Sequence, residues 1–187
     1  MQEEISEQAH LLKEIPSVYL YNLTLVDPPL RLKTFKFKNT TALFMSVEGN
    51  KQVVHQFIDE IFNKVNLENI SMFVTPDIIY HASGEDITGI ENFKKWVSSD
   101  HSIFPDVHFT IMDSIGEYGK VATTWIVEGT HSKEFRGIPA THKKFETVGV
   151  NIFHFEGNKI KEAWTVVDGL TAALQVGAVK AVTNEVD

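Results

Sequence analysis

The strongest constraint on the fold lies between residues 107 and 168, where four long runs of strand-forming residues follow one another with short breaks. The runs span about 107–115, 120–131, 143–156 and 159–168, and Glu117–Gly119, the segment 132–142 and Gly157-Asn158 separate them. A two-residue break containing glycine suits a tight antiparallel hairpin, because glycine reaches the positive φ such turns need. Consecutive strands joined this way form a meander, and strands of this length twist and curl.

Upstream, the apolar period changes to that of a helix. Val53, Val54, Phe57, Ile58, Ile61 and Phe62 recur at helical spacing from residue 48, with Asn50 as a candidate N-cap. A short helix over 66–74 carries Leu67, Ile70 and Phe73, and residues 77–82 read as a strand. The segment Gly84 to Gly89 reads as a loop. Residues 90–103 read as a helix with Ile90, Phe93, Trp96 and Val97 inward, ended by Pro105-Asp106. A last helix is expected over 169–178. Helices first and a meander afterwards predict an α+β domain, a curved antiparallel sheet with helices over its concave face, enclosing a conical pocket.

The chain divides into an arm (1–47), this domain (48–180) and a tail (181–187). In the arm, 2–14 could form a polar helix, and 17–26 and 30–38 read as strands around the Asp27-Pro28-Pro29 turn. Arg31, Lys33, Lys36 and Lys38 fit an edge hairpin guarded by charge, or an arm that covers a neighbour or a pocket. With 13 Phe, 3 Trp and 43% apolar residues among 187, the chain can fill a sizeable core. It has no cysteine, which removes disulfides, thiolate metal sites and a Cys nucleophile. A net charge of −8 argues against nucleic acid as a partner. No apolar run approaches the ~20 residues that span a bilayer. The polar start MQEEISEQ does not read as a secretory signal, so a cytoplasmic location is expected.

Residues 50–179 carry a denser pattern. NKQVVHQFIDEIFNKVNLENISMFVTPDIIYH, TGIENFKKWV, FPDVHFTIMDSI and EGTHSKEFRGIPATHKKFETVGVNIFHFEGNKIKEAWTVVD occur in order, followed by GLTAALQVGAV. Together they resemble the SnoaL-like polyketide cyclase (ester cyclase) family of the NTF2-like superfamily. The resemblance implies a cystatin-like α+β cone with an apolar cavity, a homodimer or higher oligomer formed through the sheet, and a small apolar or aromatic carbonyl ligand. It also implies cofactor-free chemistry, such as an intramolecular aldol closure run by a pocket carboxylate with a histidine nearby. By the resemblance those two catalytic positions match Asp168 and His154, fourteen positions apart.

Each candidate has an alternative. Period two places Ile160, Glu162, Trp164, Val166 and Asp168 on one strand face, and Val148, Val150, Ile152 and His154 on another. An apolar setting beside Trp164 and Val166 would raise the Asp168 pKa toward a useful acid/base range. Asp168 also stands directly before the last helix and would serve equally as its N-cap. His154 could orient the carboxylate or stabilise an enolate oxygen, or simply face water. Tyr80, His81, Trp96, Phe104, Trp125, Phe145 and Trp164 could line a pocket for a flat ligand; the aromatics could equally be plain packing, and His81 a satisfied rim residue. The histidines, His81, His101, His108, His131 and His142 among them, show no metal-ligand spacing, so neither a metal nor a cofactor is expected. Three functions stay open. They are a cyclase-like isomerase or lyase, a dehydratase or epoxide hydrolase on the same cone, and a non-catalytic ligand-binding or association module.

Overall fold

The first helix, α1 (Val47–Phe57), begins a turn earlier than expected. Asn50 is therefore not its cap but a buried residue of the helix body. The chain runs on through a π-helical turn, Ile58–Asn63, whose wider winding keeps Ile58, Ile61 and Phe62 all buried. Asn63 at its end bonds the backbone of Phe109 twice, donating to the carbonyl at 3.0 Å and accepting from the N–H at 2.8 Å. A 3-10 turn (Leu67–Asn69) leads into the single-turn helix α2 (Ile70–Phe73).

The computed structural model describes residues 47–82 and 84–180. The arm's expected helix (2–14) and strands (17–26 and 30–38), and the tail 181–187, lie outside the described residues.

Strand β1 (Val74–Ala82) opens three residues before the expected start and contains Pro76. Proline is tolerated because the pairing of β1 with its neighbour breaks register between Val74 and Ile79, so no ladder N–H is required there. Expected as loop, Glu85–Thr88 forms the short strand β2, paired antiparallel with Ile79–Ala82. Helix α3 (Ile90–Ile103) matches its expected span. Then come β3 (His108–Glu117), β4 (Lys120–Thr130), β5 (Lys144–Glu156), β6 (Lys159–Val167) and α4 (Gly169–Val176).

The six strands form one sheet ordered β2-β1-β6-β5-β4-β3. It is not wholly antiparallel as expected. The β1–β6 pair is parallel, because the chain passes from β1 through β2 and α3 to the far edge before the meander brings β6 back. Register shifts at Ile111/Asp113 and His154/Phe155 bend the strands and curl the sheet. The second shift also turns Ile160 into the core, away from the face that strict alternation with Glu162 predicts.

Burial defines the two faces. Val121, Thr123, Trp125 and Val127 of β4, Asn151 and Phe153 of β5 and Ala163 of β6 are buried against the helices. Phe57 lies at the centre, with ring centroids of Phe62, Phe73, Phe93 and Phe153 at 5.5–6.1 Å. Truncating a phenylalanine in such a place costs about 3–5 kcal/mol. The opposite face leaves Val148, Val150, Ile152 and Val166 exposed. Among the described residues, no helix is long and apolar enough to cross a membrane.

Candidate functional site

Because side chains alternate along a strand, the residues of β5 and β6 that face the inside follow from Phe153 and Ala163. Two positions further on stand Asn151 and Thr165, which are cross-strand partners and are also fourteen positions apart. Trp125 of β4 donates its indole N–H to Asn151 Oδ1 at 2.5 Å. Asn151 Nδ2 in turn donates to the Tyr80 hydroxyl at 3.0 Å and to the Trp164 carbonyl at 3.3 Å. An indole N–H only donates, so the carboxamide oxygen must face Trp125 and the amide hydrogens must face Tyr80. The chain of bonds is therefore directed, from Trp125 through Asn151 to Tyr80. Gly149 makes room for it: a Cβ there would stand 2.1 Å from the Trp125 ring.

Burial pushes the Tyr80 phenol up to about 12, against the opposing effect of its hydrogen bonds with Asn151 and Thr165. The charge of Asp100 pushes it in the same direction as burial. Asp100 lies on α3 three, four and seven positions after Val97, Trp96 and Phe93, on the stripe that faces the sheet. Its carboxyl is held above the usual carboxylate range by burial, with His101 acting weakly the other way. His101 itself is tied to the Phe62 carbonyl at 2.7 Å through Nε2. Trp96, Asp100, Thr165 and Val167 remain partly exposed although they sit on inward stripes.

Asp168 and His154 do not share this interior. Asp168 is exposed and caps α4, its Oδ1 accepting from the Thr171 N–H at 3.0 Å and its Oδ2 from the Thr171 hydroxyl at 2.6 Å. Those bonds hold its carboxyl below the usual range, the reverse of the shift expected for a pocket acid. The physical reason is strand parity: the last buried core residue of β6 is Ala163, and even-numbered neighbours from Glu162 onward point to the outer face. The Asp168 N–H bonds to the Val148 carbonyl, six residues along β5 from His154, which places the two roughly 20 Å apart.

His154 belongs to a second cluster on the outer face. Trp164 is flanked by His81 and His154, with ring centroids at 4.8 and 4.6 Å. Glu162 contacts both imidazoles, His81 Nε2 at 3.1 Å and His154 Nδ1 at 3.6 Å, and Asp86 binds His81 Nδ1 at 2.7 Å. Glu162 and Asp86 raise the His81 pKa. Among the described residues, no group of three or more His, Cys, Asp and Glu is placed to hold a metal ion.

The seven expected lining residues thus divide. Tyr80, Trp96 and Trp125 lie inside, where the Tyr80 and Trp96 rings pack tilted to each other with centroids 5.4 Å apart. Phe104 and Phe145 pack edge to face at 5.4 Å in the smaller cluster around Trp125. His81 and Trp164 lie outside. Two open surface grooves, of about 460 and 380 Å³, run elsewhere and include neither Tyr80 nor Asn151 nor Asp100. Asn151, Thr165 and Asp100 escaped the sequence reading, although the helical spacing of Asp100 from Phe93 and Val97 was visible in it.

Residues 52–176 match the profile of the SnoaL-like polyketide cyclases. A comparison with curated protein sequences found no match. Among solved structures, IdmH of Streptomyces antibioticus, assigned as a polyketide cyclase, is 28% identical, with 68% of this chain and 98% of that one covered and a TM-score of 0.59. AclR of Streptomyces galilaeus, assigned as a hydroxylase, is 21% identical over 72% of this chain and 100% of that one, with a TM-score of 0.63. A SnoaL-like protein of Jannaschia is 17% identical over 78% and 100%, with a TM-score of 0.64. The last two likenesses concern the fold.

Proposed function

Since this chain belongs to the SnoaL-like polyketide cyclase family, we propose that it binds a flat, apolar carbonyl compound inside the cone, as a substrate for cofactor-free proton-transfer chemistry of the cyclase or isomerase kind. The observation that carries this reading is the directed chain Trp125–Asn151–Tyr80. It buries polar groups in an aromatic interior and ends on a phenol. A carbonyl oxygen is the ligand group that such a terminus would take, since a phenol O–H donates to an acceptor of that kind. Tyr80, Trp96 and Trp125 supply flat apolar surface around it.

The test is equilibrium binding of methyl naphthyl ketone, followed by quenching of tryptophan fluorescence. Saturable quenching is expected, weakened about three- to tenfold in Tyr80→Phe, the worth of one hydrogen bond. No saturable quenching in the wild type would contradict the reading.

A second copy of the chain is the proposed partner. Val148, Val150, Ile152, Val166 and Ile115 leave a contiguous apolar patch on the outer sheet face, in register through Ile115, Ala122, Ile152 and Trp164. Sedimentation of the wild type against Ile152→Lys tests it, and a wild-type monomer would reject it.

A non-catalytic carrier or association module is the competing reading. It is favoured by Asp168, whose carboxyl is committed to capping α4. Binding of the ketone without any acceleration of its proton exchange would select it.

A further inference from the structure

The outer sheet face carries a charge pattern that a single chain does not explain. Outward side chains on β4 and β5 come from even-numbered positions, because Val121, Trp125, Val127, Asn151 and Phe153 point inward. The register sets Lys120 opposite His154, Thr124 opposite Val150 and Glu128 opposite Glu146. Two glutamates directly opposite on neighbouring strands repel, and so do a lysine and an imidazolium. Lys120, Glu128 and Glu146 are exposed, and among the described residues none of these three side chains forms an ion pair.

The two like pairs stand at opposite ends of the apolar patch. Thr124 and Val150 lie midway between them, and Val166 continues that level on β6. Eight residues separate the ends, about 27 Å at the rise of a strand. Reversing the strand direction about the middle level exchanges Lys120 with Glu128 and His154 with Glu146. It also exchanges Lys144 with Glu156, the two ends of β5, which are six residues either side of Val150. On these two strands the face is opposite in sign to its own reversed copy.

We infer that a second copy of the chain lies on this face with its strands antiparallel to those of the first, about a two-fold axis running across the strands at the level of Thr124, Val150 and Val166. The inference rests on the reading that a second copy covers the outer face, and adds which way round it sits. An isologous contact uses one patch twice, so each opposite-charge contact forms twice. Ile152 of one copy meets Val148 of the other, and Val150 meets its own counterpart. Aligned sheets cross at about 30°. At the ends of the patch this shifts one copy by about the width of a strand, which swaps the places of Glu128 and Glu146 and keeps the sign of the contact. An axis along the strands would instead set glutamates on glutamates at one end and bases on bases at the other. Asp113 is the exception to the pattern. It lies at the middle level, but on the edge strand β3, and its Oδ1 already accepts the Ser114 N–H.

Sedimentation of Lys120→Glu, Glu128→Lys and the double variant against the wild type, at low salt, tests the arrangement. Each single variant is expected to raise the dimer dissociation constant at least about tenfold, because it creates two like-charge contacts. The double variant restores opposite signs and is expected within about threefold of the wild type. Tighter association of Glu128→Lys, or no recovery in the double variant, would overturn the arrangement and leave the second copy standing. A monomeric wild type would overturn both. Crosslinking gives an independent reading, since the chain has no cysteine of its own. Val150→Cys is expected to join two copies through a bismaleimide about 10 Å long, the spacing of packed sheets. Glu128→Cys, about 27 Å from its counterpart, is expected not to. Crosslinking of Glu128→Cys, or none of Val150→Cys in a dimeric protein, would overturn the arrangement.

Discussion

The indole N–H of Trp125 and the carboxamide oxygen of Asn151 lie 2.5 Å apart, and this bond determines which way the Asn151 amide points. Everything downstream depends on it, because the amide hydrogens then reach Tyr80 and the Trp164 carbonyl. Replacing Asn151 by Leu leaves the buried Trp125 donor unmatched and takes a donor from Tyr80. The expected cost is about 1–3 kcal/mol in urea unfolding, together with weaker ketone binding. Unchanged stability would mean that water replaces the amide.

Asp168 tests what kind of residue the end of β6 carries. Asp168→Ala removes the acceptor for two Thr171 groups and should lower the melting temperature by roughly 2–4 °C, with fraying confined to α4. Asp168→Asn keeps a capping oxygen and should recover most of the loss. If the two variants instead abolish ketone exchange without touching stability, the cap is not the residue's main role.

His81 predicts a pH dependence on the outer face. Glu162 and Asp86 stabilise its imidazolium, so its folded pKa lies above the unfolded value. The stability this contributes is complete below the unfolded pKa and is lost as pH rises through the folded pKa. Glu162→Gln should move the NMR titration of His81 back toward its ordinary range. The stability difference from wild type should vanish only as pH rises past the raised folded pKa of His81, where the imidazole is uncharged in both. An unmoved midpoint would assign the shift to Asp86 alone.

Asp100 behaves in the same sense for a different reason. Burial raises its folded pKa, so the protein is relatively more stable while the carboxyl is protonated, and that advantage disappears as pH rises through the folded value. Asp100→Asn should therefore be more stable than wild type at neutral pH and no more stable below about pH 3.8, the ordinary value. Urea unfolding at the two pH values measures it. Destabilisation at neutral pH would show that the carboxylate has a structural partner.

Much of the architecture was legible in local patterns. The helix 90–103, the four meander strands and the closing helix follow from apolar periodicity, Gly157-Asn158 and Pro105, and they stand within a few residues of where periodicity puts them. What was not legible depends on tertiary pairing. Glu85–Thr88 is too polar and short to read as a strand, and only Ile79–Ala82 alongside makes it one. Pro76 hid the start of β1, because the register break that tolerates it exists only in the pairing of β1 with β6. The site suffered from parity. Asp168 and His154 stand three residues beyond the inward pair Thr165 and Asn151, and an odd displacement on a strand moves a side chain to the opposite face. Strand alternation alone does not say which face the helices cover, so His81 and Trp164 of the outer-face cluster read as pocket wall.

The most direct test of the whole account is a crystal structure with methyl naphthyl ketone bound. The ketone oxygen is expected within hydrogen-bond distance of the Tyr80 hydroxyl, with the rings against Trp96 and Trp125. A ketone seated instead on the outer face, stacked with Trp164 between His81 and His154, would contradict it.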